Sequence, residues 1–410
     1  MGRRQSHKGV EVVGVSTSRQ PGERTCPHFG HCGGCHWQDV PYAEQLRRKE
    51  EYVRRVFGEA GIELPECFPI LASPSSFAYR NKMEFTAVPD AEQGLRLGLH
   101  RRGRFDEVID IVECWLPPPL ANELVEVVRS VARRRGIRAY DYQRHSGFFR
   151  NLVLRYATPP DQWMVLVVTT TPTADEEVSF LEEIAELLPQ RFPEVRTVGH
   201  VINDTWSPVS VGQLRILAGD GVIEQGFGGL RFRISPFAFF QVNWTQFESF
   251  FGRIRELASP RSTDVVWDLY CGAGSIALVL ARWVSQVYGV ELVEAAIEDA
   301  RVNAMLNGIT NVTWHVADLH RPSGKAVLER LPAPDLIVLD PPRAGVHWRL
   351  LQFLCEHPAE RMLYVSCNPV TQARDLKRLL TVYRLQCLQP VDLFPQTPHV
   401  ECIALLQRRD

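Results

Sequence analysis

The sequence has few cysteines, no long apolar run and no excess of charge of either sign. Ten cysteines in 410 residues are too few for a disulfide scaffold. The richest apolar run, from Trp163 to Val168, is far shorter than the roughly 20 residues that span a membrane. The first residues also lack the apolar segment of a signal peptide. These absences predict a cytoplasmic protein without membrane contact, in whose reducing surroundings clustered cysteines serve as metal ligands or nucleophiles.

The charges nearly balance, with 46 Lys and Arg against 48 Asp and Glu. This balance excludes a nucleic-acid-binding protein of the uniformly basic kind, but it is compatible with a local basic groove. A chain of 410 residues is also too long for one compact core, so we expect at least two domains.

Three segments differ in pattern. Residues 1–25 are predicted to form a basic, flexible tail. Residues 26–235 contain short apolar runs of period near two, which predicts a mixed, mostly β central domain. Residues 236–410 alternate strand-like and helix-like segments. That alternation predicts an α/β fold, a doubly wound parallel sheet with helices on both faces.

A glycine-rich turn in the last segment predicts a nucleotide site. The run Asp268–Ser275 follows an apolar strand and opens a helix, and Glu291 ends the next strand. Glycines there allow a ligand close to the backbone, and the acid is placed to accept ribose hydroxyls. The same glycines also fit a dinucleotide pattern, so NAD stays open. Asp340 and Cys367, which end later strands, favour S-adenosylmethionine, because hydride transfer has no evident use for a cysteine there.

Cys367 and Glu401 are the predicted catalytic pair. C5 of uracil is a poor nucleophile until a thiolate adds to C6, and a base must later remove the C5 proton. Cys367 precedes an Asn-Pro turn, and Glu401 begins the last apolar run. If that last strand is antiparallel to the others, Glu401 faces Cys367. A buried structural thiol and a solvated carboxylate are the alternatives for the two residues.

The amino-terminal cysteines predict a metal site. Cys26, Cys32 and Cys35 supply three thiolates within ten residues, and a closed zinc site or a four-iron cluster needs a fourth ligand. Cys114, at the end of a strand-like segment, is the best candidate. Spacing alone leaves zinc, an iron–sulfur cluster and free thiols open, with zinc favoured.

Five motifs in one order carry a family resemblance. The chain resembles the RNA 5-methyluridine (uracil-C5) methyltransferases over almost its whole length after the tail, through residues 235–243, 268–274, 340–343, 366–369 and 399–401. The resemblance implies a class I S-adenosylmethionine-dependent methyltransferase domain, with Cys367 as nucleophile and Glu401 as proton acceptor. The expected cofactor contacts, from the resemblance and the glycine turn together, are Gln241, Tyr270, Gly272, Gly274, Ser275, Glu291, Asp318 and Asp340. Ser275 stands where relatives often have Asn, and Asp318 is expected beside the adenine.

The cysteine pattern resembles the iron–sulfur branch of that family, the 23S rRNA uracil-5-methyltransferases. This resemblance implies a [4Fe–4S] cluster held by Cys26, Cys32, Cys35 and Cys114. Many members of the branch carry a small RNA-binding barrel before the cluster. Only 25 residues precede Cys26 here, so we expect the barrel to be absent.

The predicted partner is RNA, and no obligate protein partner is expected. Basic and aromatic residues alternate in segments 79–85, 100–105 and 144–150, and a helix over 47–55 has a basic face. Together they predict a groove for single-stranded RNA, although each segment alone is equally compatible with a solvated strand face.

The sequence therefore predicts methylation of uridine C5 in structured RNA, most specifically 23S rRNA, through a covalent adduct between a cysteine and C6. The alternatives are a tRNA uridine-C5 methyltransferase, a nicotinamide-dependent iron–sulfur oxidoreductase, and a non-catalytic RNA-binding protein.

Overall fold

A computed structural model describes residues 25–65 and 67–410. The basic tail predicted over residues 1–25 lies outside these ranges except for its last residue. None of the helices in the described ranges has the length and apolar character needed to cross a membrane.

Helices and strands, joined by loops, follow one another throughout the described part of the chain. The helices are α1 (Tyr42–Glu59), α2 (Leu120–Arg134), α3 (Asp175–Arg191), α4 (Phe247–Ala258), α5 (Ser275–Ala281), α6 (Glu294–Leu306), α7 (Pro322–Leu328), α8 (Trp348–Glu356) and α9 (Pro369–Leu379). The strands are β1 (Lys82–Asp90), β2 (Gly94–His100), β3 (Val108–Asp110), β4 (Phe149–Ala157), β5 (Gln162–Thr169), β6 (Val195–Ile202), β7 (Gln213–Gly219), β8 (Ile223–Phe227), β9 (Leu230–Ile234), β10 (Val265–Leu269), β11 (Gln286–Glu291), β12 (Val312–Val316), β13 (Leu336–Leu339), β14 (Arg361–Ser366), β15 (Tyr383–Val391) and β16 (Glu401–Arg408).

The central region is a seven-stranded sheet in the order β3-β2-β1-β4-β5-β6-β7. Only β5 and β6 pair in parallel, because α3 connects them; the other pairs are antiparallel. Helices α2 and α3 share one hydrophobic core with this sheet, through side chains such as Leu124 and Phe180. Val153 and Met164, on the same sheet, belong to a second core that includes the β8–β9 hairpin, α4 and the carboxy-terminal sheet. The two sheets are thus joined by one continuous apolar layer.

The carboxy-terminal sheet has the order β12-β11-β10-β13-β14-β16-β15. Its first five strands are parallel, and β16 is inserted antiparallel between β14 and β15. The predicted α/β alternation with a doubly wound sheet is therefore correct. Its topology brings the carboxyl ends of β10, β11, β13 and β14 to one edge, together with the start of β16.

Helix α1 follows the loop that carries Cys26, Cys32 and Cys35, which we call the cysteine loop. The helix nevertheless packs against the carboxy-terminal half of the chain. Val53 and Phe57 lie in the same core as Leu354 of α8 and Leu376 of α9. Residues near the amino terminus of the described chain therefore contact elements more than 300 positions downstream, a contact that fixes the cysteine loop relative to the carboxy-terminal sheet.

Candidate active site

A cavity of about 720 Å³ opens at the carboxyl edge of the parallel strands. Its walls bring together nearly all the residues that the sequence analysis singled out: Gln241, Tyr270, Gly272, Ser275, Glu291, Asp318, Asp340, Cys367 and Glu401. Gly274 is not on this wall. It caps α5 in a left-handed conformation, with φ of +83°, and a Cβ there would lie 2.6 Å from the Trp314 ring.

Glu291 is fixed at one end of the cavity by backbone amides. Its Oε2 accepts a hydrogen bond from Gly272 N (3.2 Å), and its Oε1 accepts from Leu292 N (2.7 Å) and Val293 N (2.9 Å). The carboxylate is therefore held beside the glycine turn, where a ribose would approach. Asp318 is tied to its own turn by His320 N (2.9 Å) and by Arg321, and these contacts lower its pKa.

Asp268 is a cavity residue to which the sequence analysis gave no role. It is 1% exposed, and neither carboxylate oxygen has a hydrogen bond of normal geometry. Burial, aided by the charge of Asp340, raises its pKa to about 8, and only the backbone of Ala277 opposes this. A buried carboxyl group whose oxygens accept no well-formed hydrogen bond is stabilised by a cation or by a hydrogen-bond donor. The ammonium group of an amino-acid moiety, such as that of S-adenosylmethionine, meets that need, so the cavity fits this cofactor.

Asp340 shares the cavity with the glycine turn and with the predicted catalytic pair, Cys367 and Glu401. It follows β13, and burial raises its pKa to about 7. Gln241 Nε2 donates to its Oδ2 over 3.4 Å, which favours the charged form and opposes the effect of burial. The charge of Asp340 in turn raises the pKa of both Asp268 and Glu401.

The turn that carries Cys367 is built by its neighbours. Asn368 caps α9 by accepting a hydrogen bond from Val370 N (3.2 Å), and Pro369 occupies the first helical position. Asn368 Nδ2 also donates to the carbonyl of Arg343 (3.1 Å), as does Thr371 Oγ1 (3.2 Å). Cys367 is half-buried at the top of β14, and its turn is tied to the loop after β13.

The sheet register places Glu401 beside Cys367. Ser366 pairs with Cys402 across the antiparallel β14–β16 ladder, so the next position on each strand is Cys367 and Glu401. Glu401 is 2% exposed. The predicted antiparallel strand is present, and it brings the two side chains to one wall of the cavity.

Electrostatics at this pair favour the neutral forms of both side chains. Burial first, and then the Glu401 charge, raise the pKa of Cys367 to about 11, while Arg343 lowers it. Burial and Asp340 raise the pKa of Glu401 well above its usual range, again opposed by Arg343. A carboxylate with such high proton affinity is a strong acceptor once ionised. Arg343 was part of a motif but had no predicted role, and it is the cation common to both groups.

The four predicted metal ligands line a second, small cavity. Cys26, Cys32, Cys35 and Cys114 converge there, and Phe29 and Leu116 complete its wall. Burial raises the pKa of all four thiols, to about 11 for Cys35 and about 12 for Cys114. Within residues 25–65 and 67–410, no group of three or more His, Cys, Asp or Glu side chains is arranged to hold a metal ion. The cysteines thus share one cavity without closing around one point.

Burial corrects several of the expected RNA contacts. Tyr79, Phe85, Phe148 and Phe149 are fully buried core residues, so they cannot stack on bases. Lys49 was assigned to the basic face of α1, and it is buried in an ion pair with Asp392.

The turn between β2 and β3 does present the expected chemistry. Phe105 is 91% exposed, and Arg102 and Arg104 beside it are exposed as well. Arg102 also donates to the carbonyl of Cys35 (2.5 Å). This basic and aromatic turn therefore sits directly on the cysteine loop.

Comparison with known proteins gives the family. The model of the family described as tRNA (Uracil-5-)-methyltransferase matches residues 229–409. An uncharacterized RNA methyltransferase of Chlorobaculum tepidum is 37% identical, over 98% of this chain and 86% of the relative. Another, from Nitratidesulfovibrio vulgaris, is 38% identical over 94% of this chain and 82% of the relative.

A solved structure agrees with these relatives. The Pyrococcus abyssi tRNA (uracil-54, C5)-methyltransferase in complex with S-adenosyl-L-homocysteine superposes with a TM-score of 0.74 at 29% identity, covering 91% of this chain and 85% of that one. These matches decide against the nicotinamide-dependent oxidoreductase that the glycine pattern left open. The family model, the relatives and the solved structure together show that the chain belongs to the RNA uracil-5-methyltransferase family and is an RNA methyltransferase.

Proposed function

We propose that this protein methylates C5 of a uridine in structured RNA through a covalent bond between Cys367 and C6. One observation carries the proposal: Cys367 and Glu401 are adjacent on the wall of the cavity whose other end presents Glu291 and the glycine turn. A nucleophile, a proton acceptor and a nucleotide site thus face one space.

The residues act in two steps. The Cys367 thiol first loses its proton to solvent, and the resulting thiolate adds to C6, which breaks the C5–C6 double bond and makes C5 nucleophilic. Bound S-adenosylmethionine supplies the methyl group that C5 takes. Glu401 then accepts the C5 proton, the double bond re-forms, and the C6–sulfur bond breaks to return the thiolate. Asp268, Glu291, Asp318 and Asp340 hold the cofactor in the cavity.

The test uses RNA that carries 5-fluorouridine, because fluorine at C5 leaves no proton for Glu401 to remove. The wild-type protein with S-adenosylmethionine should form a denaturant-resistant complex with this RNA, and Cys367→Ala should form none. Cys355→Ala is the matched control, because Cys355 is a half-buried thiol of α8 outside the cavity. If the wild-type protein forms no adduct with any candidate RNA, the covalent mechanism is wrong.

For the cysteine cavity, the proposal is a [4Fe–4S] cluster bound by Cys26, Cys32, Cys35 and Cys114. Four thiols on one cavity, three of them buried and that of Cys32 half-buried, would supply one ligand for each iron. The chemistry of such a site is structural, since every iron has its protein ligand. Protein purified without oxygen should contain iron and sulfide; colourless protein containing zinc alone would refute the cluster.

The proposed RNA target is 23S rRNA, on the resemblance of the cysteine pattern to that branch of the family. One observation favours tRNA instead, namely the likeness to the Pyrococcus abyssi tRNA (uracil-54, C5)-methyltransferase. Mapping 5-methyluridine in RNA from cells with and without the gene separates the two. Loss of a modification from 23S rRNA supports the first target, and loss from tRNA alone replaces it with the second.

A further inference from the structure

The loop between β15 and β16 spans residues 392–400 and leads directly into Glu401; we call it the catalytic loop. Phe394 and His399 of this loop lie on the wall of the cavity. Its two ends meet, because Val391 pairs with Glu401. The loop is therefore anchored at the end of the β15–β16 ladder where Glu401 stands, so a displacement of the loop acts on that end of the ladder.

One face of α1 holds the catalytic loop at three points. Tyr42 donates through its hydroxyl to Asp392 Oδ2 (2.9 Å), and Lys49 donates to Asp392 Oδ1 (2.6 Å). Between them, the Gln45 amide exchanges two hydrogen bonds with Gln396: Gln45 Nε2 donates to Gln396 Oε1 (2.9 Å), and Gln396 N donates to Gln45 Oε1 (2.9 Å). Gln45 is fully buried, so water cannot replace these bonds.

The cysteine loop joins the same contact. Both His36 N (2.7 Å) and Trp37 N (3.1 Å) donate to the carbonyl of Gln396. Gln45 Nε2 also donates to the carbonyls of Trp37 (2.8 Å) and Val40 (2.9 Å). Gln45 is thus the centre of a network that includes the residues directly after Cys35 and the middle of the catalytic loop.

Gln396 has a backbone conformation that depends on this network. Its φ is +67°, in the left-handed region that residues other than Gly, Asn and Asp rarely adopt. Such a conformation persists where the surroundings fix it, and it is frequent at functional sites. Its backbone N–H and C=O are both bound by α1 and the cysteine loop, so those contacts keep the residue in this conformation.

We propose that Gln45 and Gln396 are positioning residues for Glu401: their paired amides hold the catalytic loop so that the carboxylate stands at the C5 proton. The inference rests on the proposed function. Cys367 lies on a different element, the β14–α9 turn, which makes its own contacts with Arg343. Loosening the Gln45 contact should therefore slow proton removal and leave the addition of Cys367 intact.

The test is Gln45→Met, which keeps the size of the side chain and removes the hydrogen bonds that its amide makes. With ordinary uridine RNA, a covalent complex between protein and methylated RNA should accumulate during turnover. The kcat should fall about 10- to 100-fold, in line with a misplacement of about 1 Å, and KM for RNA should fall with it, because an accumulating covalent intermediate lowers KM. With 5-fluorouridine RNA, which stops before proton removal, Gln45→Met should still form its adduct, and no more slowly than the wild-type protein.

Gln225→Met is the matched control. Gln225 is a buried glutamine whose amide donates to Gly226 O (3.0 Å) and to the carbonyl of Thr158, far along the chain from the catalytic loop. This variant should show no accumulated adduct. If Gln45→Met does not fold, Gln396→Asn decides, because Asn tolerates the left-handed conformation while its shorter side chain loses contact with Gln45.

The outcomes separate the inference from the function on which it rests. If the folded variant, Gln45→Met or Gln396→Asn, turns over at the wild-type rate and accumulates no adduct, the positioning role is wrong. An equal loss of fluorouridine adduct formation overturns it too, since the defect would then lie at Cys367. If the wild-type protein itself forms no fluorouridine adduct, the proposed function fails instead.

Discussion

The resting state of Cys367 offers the most direct test of the site electrostatics. Burial first, and then the charge of Glu401, raise its pKa to about 11 from an ordinary value of 9.0, and Arg343 opposes both. The thiol is therefore neutral at physiological pH in protein without ligands. Because only the thiolate reacts with an alkylating reagent, the rate of alkylation reports this pKa.

The size of the effect follows from the two values. At pH 8, a thiol with a pKa of about 11 is ionised about a hundredfold less than one with a pKa of 9.0. The alkylation rate of Cys367 should rise about tenfold for each pH unit from 7 to 10 without levelling off. Arg343→Met removes the opposing cation and should slow alkylation at every pH in that range. Glu401→Gln removes a negative charge at the pH values where Glu401 is ionised and should accelerate alkylation there.

The assay is limited iodoacetamide labelling followed by peptide mass spectrometry, which distinguishes the Cys367 peptide from those of the other cysteines. Added S-adenosylmethionine, with its sulfonium charge, should accelerate labelling relative to the uncharged S-adenosylhomocysteine, which fills the same space. A profile that levels off below pH 9 would refute the pKa assignment. A profile unchanged by both substitutions would refute the roles given to Arg343 and Glu401.

Three further substitutions test the ion pair, the cofactor site and a helix end. Lys49→Met should lower the free energy of unfolding in urea by about 3–5 kcal/mol, because it leaves Asp392 buried without its cation; a loss under about 1 kcal/mol would contradict this. Glu291→Gln should weaken S-adenosylmethionine binding about 10- to 100-fold in calorimetry, the value of a charged hydrogen bond, and unchanged affinity would remove its ribose role. Ser259→Gly should stabilise the protein by about 1 kcal/mol, since Ser259 ends α4 with φ of +42°; an unchanged or lower urea midpoint would argue against strain there.

Local patterns predicted those elements whose formation depends on neighbouring residues. Alternating strand-like and helix-like segments after residue 236 predicted the carboxy-terminal sheet, because a parallel sheet requires helical crossovers between its strands. The Asn-Pro turn after Cys367 was recognised for the same kind of reason, and in the structure its two residues begin α9, since capping depends on adjacent residues. The position of Glu401 followed from topology, because an antiparallel last strand must begin at the edge where the parallel strands end.

Side-chain environment was less predictable than secondary structure. Lys49 and Gln45 look solvent-facing in sequence, yet both are fully buried, because the catalytic loop supplies partners from residues about 350 positions away. Tyr79 and Phe85 alternate with basic residues as an RNA-binding strand would, but they point into the core. Asp268 could not be distinguished from other acids after a strand until its lack of hydrogen-bond partners was visible.

The sequence by itself determined the order of strands and helices, the cysteine spacing and the residue types at the strand ends, because these depend on composition and short-range pattern. Only the tertiary structure decided which of these residues share a cavity, which charges are buried, and that the cysteine loop contacts the catalytic loop. Those facts depend on contacts between distant segments, which set desolvation and pair each buried group with its partner. The two residues proposed for catalysis, Cys367 and Glu401, are identified from local sequence, and their proton affinities are set by the fold.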